Sequence, residues 1–271
     1  MSFQTHLIVV GLGLFTLRGG AQAVELSPSS TLKLAFDNEA AQERIRSQYF
    51  YRERAEHRRA GAGDQPGKLN FTHNYEWVYL EGEPFRRLVA INEAPLKGKQ
   101  AAEEERRLRM TGTERRATAS QNRERSKAVS FGDVELAVIL RVMEHTLLRE
   151  ELPGGRTTWV IQSEAKVGVA PNFAEERRAL CYRYTFWVDA QDLAISQKKY
   201  EVVREGVDTL PGSWSTTAFH RHSAGLWFPE RIIGYYVTGP PRPSQWFQSH
   251  RFFDFRKFDS ESTIVFPELR P

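Results

Sequence analysis

The stretch Leu180-Cys181-Tyr182-Arg183-Tyr184-Thr185-Phe186-Trp187-Val188, broken by Asp189-Ala190-Gln191-Asp192 and resumed at Ala194-Ile195, decides the fold. Aromatic and β-branched residues alternate with polar ones, which is the period of a strand with unlike faces. The break carries residues that cap and turn a chain. Reading outward, the same grammar repeats over 157–165, 179–188, 194–204, 213–222, 226–237 and 246–258. The intervening breaks are Gly206-Val207-Asp208, Ala224-Gly225 and Gly239-Pro240-Pro241. Upstream, Asn74-Tyr75-Glu76-Trp77-Val78-Tyr79-Leu80 and Phe85-Arg86-Arg87-Leu88-Val89-Ala90-Ile91 flank Gly82 and Pro84 as a hairpin. Successive antiparallel strands joined by short turns form a meander that its own twist curls. The expected class is α+β: a curled antiparallel sheet, a half-open β-barrel of about eight strands or more, with helices on the concave face.

Two helices are expected beside the sheet. Residues 37–59 place Ala40, Ala41, Ile45, Gln48 and Tyr49 at helical spacing behind Asp37 or Asn38. Residues 131–150 place Leu136, Ile139, Leu140, Met143 and Leu147 in one stripe, widened by Val134, Val138 and Val142. Such a helix is apolar on most of its surface and belongs in the core. His145 lies within it and reads as a core or boundary residue. Between them, residues 97–127 form a charged helical insertion of mixed sign, in which Glu–Arg pairs at i, i+3 and i+4 suit a solvated helix. The competing use of that stretch is a basic docking patch.

The N-terminus places the chain outside the cytoplasm. Residues 6–17 form an apolar run of signal-peptide length, shorter than the roughly 20 residues that span a bilayer. Ala21-Gln22-Ala23 follows with small residues where a signal peptidase reads, so cleavage is expected after Ala23. Residues 24–271 then form a single domain, soluble and periplasmic or secreted, with no transmembrane segment after processing. The formal charge of +4, from 38 basic and 34 acidic residues, is too small an excess to indicate nucleic acid. The sole cysteine, Cys181, excludes an internal disulfide, so the fold rests on its apolar core.

No catalytic motif appears: there is no Gly-x-Ser-x-Gly elbow, no phosphate loop, no dinucleotide glycine pattern and no His-Glu-x-x-His. No cofactor is implied, and the chain reads as a non-enzyme. His220-Arg221-His222, with His250 from another strand, would supply the three imidazoles of a zinc site. Strand alternation explains His-x-His without a metal, so none is assigned and a metal-dependent enzyme stays the third reading. Five tryptophans (Trp159, Trp187, Trp214, Trp227, Trp246) fall in the expected strands, as core filling or as the lining of a cavity for acyl chains. Trp159, Tyr182, Phe186, Trp187 and Trp227 are the candidate lining.

Three stretches carry a family likeness. They are 78–90 (Val-Tyr-Leu-Glu-Gly-Glu-Pro-Phe-Arg-Arg-Leu-Val-Ala), running into Ala94-Pro95-Leu96 and Glu103-Glu104-Glu105-Arg106-Arg107; Pro171-Asn172-Phe173 with 186–195; and 225–231 (Gly-Leu-Trp-Phe-Pro-Glu-Arg) with 253–258. Over residues 40–258 the chain resembles exported bacterial proteins, mostly uncharacterised, related to the outer-membrane lipoprotein-sorting (LolA/LolB-like) proteins. The resemblance implies an open barrel plugged by helices. Its cavity would hold a lipid or lipidated ligand, or the fold would serve as an envelope interaction or stress-sensing module. Partners would be a lipid, a lipidated protein or another envelope protein.

Overall fold

The computed structural model describes residues 27–61, 65–117, 130–131, 134–222, 225–240 and 243–258. The signal segment, its cleavage site at Ala23 and the latter part of the charged insertion lie outside the described residues.

Helix α1 (Pro28–Arg46) opens the described chain. Ser27 caps it, accepting from the Ser30 amide at 3.2 Å, and Pro28 sits in the first turn where its missing N–H costs nothing. Leu32, Ala35, Phe36, Glu39, Gln42 and Arg46 form its buried stripe. The expected helix over 37–59 therefore starts earlier and stops sooner. From Tyr49 the chain is a strand, β1 (Tyr49–Ala60), in which Tyr51, Glu53 and Ala55 are buried in alternation. A carboxylate at an inward position concealed that period.

Next come β2 (Pro66–Leu80), β3 (Glu83–Ile91), the short β4 (Ala94–Pro95) and helix α2 (Gly98–Ala117). A two-residue pair, β5 (Ser130–Phe131) and β6 (Val134–Glu135), precedes α3 (Leu136–Val142). The expected helix over 131–150 is cut to this one piece. At Met143 the backbone turns extended (φ −114°, ψ 148°), and β7 (Met143–Glu151) takes over. Leu147, which completed the helical stripe on paper, lies 44% exposed. The rest follows the expected meander: β8 (Thr158–Ala165), a short helix α4 (Ala174–Ala179), β9 (Tyr182–Asp189), β10 (Ala194–Val202), β11 (Trp214–Arg221), β12 (Trp227–Thr238) and β13 (Ser244–Lys257).

Eleven strands join one antiparallel sheet in the order β4-β3-β2-β1-β13-β12-β11-β10-β9-β8-β7. Its ends do not pair with each other, so the barrel is open. The register defines a single row across the concave face: Ile161, Phe186, Lys198, Thr217, Ile232, His250, Ala55, His73 and Ile91. At the β8–β10 end, α1 and α3 fill the curl. Leu32, Phe36, Ile139, Val142, Ile161, Tyr184 and Phe186 form one core there. At the other end α2 lies on the opposite, convex face, where Leu108 packs with Val78, Leu80, Phe85 and Phe50. The described part of the insertion is thus a helix, Gly98–Ala117, on the outside of the sheet.

The charges of α2 serve the sheet edge. Arg115 donates to the Leu80, Glu83 and Pro84 carbonyls, Arg107 to the Arg86 carbonyl, and Glu104 accepts from the Leu88 amide. Backbone groups along β3 that would otherwise template another chain are closed off.

Candidate functional site: the open half of the concave face

The plugged and open halves of the concave face meet at the C-terminal half of α1. Arg46 bonds Glu39 and Glu43 at 2.8 and 2.9 Å and donates to the Trp227 carbonyl at 2.8 Å. Gln42 accepts from the Trp227 amide, and the Trp227 indole donates to Asp192 at 3.0 Å. Burial alone would lower the basicity of Arg46, but Glu39 and Glu43 outweigh it and keep the guanidinium charged. Lys198, on the same face, is pushed down by burial, with Glu39 opposing. This polar partition fixes α1 across the sheet.

Beyond it, strands β13, β1, β2 and β3 present a shelf that no described helix covers. At its floor lies Glu53, whose side chain is wholly buried. The Trp77 indole and the Arg86 Nε each donate to it at 2.7 Å, a second Arg86 nitrogen contacts its other oxygen, and His250 Nδ1 approaches at 2.6 Å. Burial acts to raise the Glu53 pKa, but the His250 and Arg86 hydrogen bonds and charges prevail and hold it at about 2. A buried carboxylate survives only with such compensation.

Rings rise from this floor. Arg86 stacks on Tyr75 at 3.6 Å, and the Tyr75 hydroxyl meets His73 Nδ1 at 3.0 Å. His57 stacks on Phe71 at 4.4 Å, with His73 4.8 Å from the same ring. Burial, and then the charges of Arg86 and its neighbours, lowers the pKa of both His57 and His73, so both imidazoles are neutral at neutral pH. Farther along, Tyr236 stacks on Trp246. Tyr236 lies back over Gly234, where a Cβ would stand 2.5 Å from its hydroxyl, so only glycine admits the ring. At the β3 rim lies a groove of about 640 Å³ between β3 and α2, lined by Leu88, Ile91, Leu96 and Met110 and by polar and charged residues of α2, among them Gln100, Glu103, Arg106 and Arg107. Leu88 and Ile91 pair with Tyr75 and His73, so the groove borders the shelf across the β3 edge. Half-exposed rings with polar tips, beside a groove that offers both leucines and charged groups, suit an amphiphile.

The residues singled out from sequence are placed differently. Trp159, Tyr182 and Phe186 lie in or against the plugged core, Phe186 fully buried. Tyr182 also borders a hollow of about 280 Å³ with Leu180, Arg183 and Val203. Trp187 pairs with Val160 on the convex face. Trp227 belongs to the partition. The shelf residues sit on the front strands, where the sequence signal is the alternation of Tyr75, Trp77 and Tyr79.

The histidine trio does not converge. The Thr217–Ile232–His250 register puts His250 on the concave face, and a register shift between Ala218 and Phe219 separates that row from His220. His250 is engaged with Glu53, and His220 packs against Phe255 and Phe228. Among the described residues no three His, Cys, Asp or Glu side chains are grouped to hold a metal. Cys181 is buried, and burial raises its thiol pKa.

No protein-family model matches the chain. No curated protein matches it either. Among solved structures it is similar to a DUF1329 family protein from Desulfovibrio piger (TM-score 0.34, 13% identity, 87% of this chain and 95% of that one). It is also similar to a LolA superfamily protein from Nitrosomonas europaea (TM-score 0.32, 12% identity, 86% and 94%). A third is a chain of the MucA/MucB complex of Pseudomonas aeruginosa (TM-score 0.24, 10% identity, 82% and 92%). The sheet order and the helix-filled curl establish the fold, an open antiparallel half-barrel.

Proposed function

We propose that this chain is an exported, non-catalytic binding protein of the cell envelope that takes a lipid or lipidated ligand on the open half of its concave face. The observation that carries this reading is the division of that face. One end is filled by α1 and α3, and the other leaves a half-exposed aromatic shelf bordered at the β3 edge by a groove of mixed apolar and charged lining. Acyl carbons laid along Phe71, Tyr75, Leu88 and Ile91 would gain roughly 0.8 kcal/mol per buried CH₂. The polar tips of His57, His73 and Tyr75 would face the headgroup end. Trp159, Tyr182 and Phe186 then shape the scaffold, and no covalent step is involved. Removal of residues 1–23 after Ala23 delivers the domain to the periplasm. Among the described residues no helix is long and apolar enough to cross a membrane.

The test is native mass spectrometry of the processed protein purified from its own periplasm, followed by lipid extraction. A co-purifying acyl species is expected. A bare polypeptide in repeated preparations, with no binding of added phospholipid, would refute the reading.

A further inference from the structure

The two edges of the sheet are treated unequally. The β3 edge is closed by β4 and by Glu104, Arg107 and Arg115 of α2. The β7 edge ends the sheet, and among the described residues no strand lies beyond it. Five consecutive residues of β7, Thr146 to Glu150, are exposed, so this stretch stands clear of the body on both faces. Leu147 and Leu148 are 44% and 45% exposed, and Leu152 beyond the strand end is 70% exposed. A register shift leaves Leu148 without a partner on β8, and an edge with two adjacent exposed leucines is what soluble proteins avoid unless a partner covers it.

The geometry points to β7 as the docking edge for an extended segment of another protein, which adds to the sheet as a twelfth strand. Main-chain hydrogen bonds along β7 would provide most of the affinity, and apolar residues set against Leu147 and Leu148 the selectivity. The flanking charges define the partner further. Glu144 and Glu150 lie either side of the leucines, and Arg149 is already paired with Glu151 at 2.7 Å. A segment with an apolar centre and Lys or Arg at its ends is complementary. A second copy paired about Leu147 is disfavoured, because that register sets Glu144 against Glu150, and like charges directly opposite are destabilising. The proposal is independent of the lipid reading, since β7 and the shelf lie at opposite ends of the sheet.

The test places a photo-crosslinking amino acid at each position from 144 to 150 in the full chain, expressed in its own host. The expected result is one polypeptide adduct whose yield alternates along the strand. Leu147→Lys and Leu148→Lys should each cut that yield about tenfold, as loss of one buried leucine contact implies. Circular dichroism and the melting temperature would show whether the variants remain folded, as exposed positions should allow. No adduct, an adduct of doubled mass from a second copy, an adduct with lipid alone, or a yield indifferent to the lysines would each overturn the proposal. A control position on α2, Arg109, should give no such adduct.

Discussion

The two halves of the concave face are built from the same strands-and-turns grammar, yet they are finished differently. On β8–β10 the inward residues are Ile161, Tyr184, Phe186 and Val188, and helices α1 and α3 exclude water from them. On β13–β3 the inward residues are His250, Glu53, His57, His73, Tyr75 and Arg86, and side chains alone form the surface. The first half is held by apolar burial, which needs volume and shape but little chemistry. The second is held by a buried carboxylate with three donors, which needs particular residues. The lesson is that a curled sheet can separate its stability from its binding surface, with α1 as the divider.

The largest expected effect breaks or sustains that contrast directly. Phe186→Ala should cost about 3–5 kcal/mol in urea unfolding, the cost of an unfilled core cavity. Phe71→Ala on the shelf should cost about 1 kcal/mol or less, since its ring is already partly wet. Equal losses would mean that the shelf is core as well.

Glu53→Gln comes next, at about 3 kcal/mol, because Arg86 and His250 would lose a buried counter-charge. Acid tests the same residue. Its pKa falls from 4.5 to about 2 on folding. A depressed carboxylate contributes stability that is present above the unfolded value and is lost as pH falls through the folded one. The chain should therefore lose about 3 kcal/mol between pH 4.5 and 2. The Gln variant should lack that portion of the acid slope.

Gly234→Ala should cost about 1–3 kcal/mol, because the new methyl drives the Tyr236 ring off the sheet. Its signature would be a changed environment for Trp246, seen by fluorescence.

The smallest effect belongs to His57 and His73. Their folded pKa values lie below 6.5, so the unfolded chain takes up protons first. Their contribution is complete above pH 6.5 and declines as pH falls below it. Imidazole resonances in an NMR titration should show both midpoints below the free value. A midpoint above 6.5 would mean that a carboxylate, rather than burial, governs the shelf.

Much of the fold was legible. Strands β8 to β13 lie close to the stretches marked out by period two and by turns such as Asp189-Ala190-Gln191-Asp192. What was not legible has local causes. In β1, Glu53 and Ala55 occupy inward positions, so the strand lacked apolar alternation and Ile45 and Tyr49 extended the helix pattern past its end. The true start of α1 was signalled by Ser27-Pro28 and went unread. In β7, Leu147 matched a helical stripe although it is exposed. The shelf was hidden because its inward residues are titratable groups satisfied only across strands, and pairing partners such as Arg86 and His250 cannot be read from spacing.

The six tryptophans allow the most direct test, since they report from different regions of the sheet. The processed protein, labelled with 5-fluorotryptophan, would be titrated with a lysophospholipid below its micelle concentration and followed by ¹⁹F NMR. The account predicts shifts for Trp77 and Trp246 of the open half, with Trp159 in the plugged half and Trp187 on the convex face unmoved. Shifts confined to Trp159, or no shift at any tryptophan at saturating lipid, would contradict it.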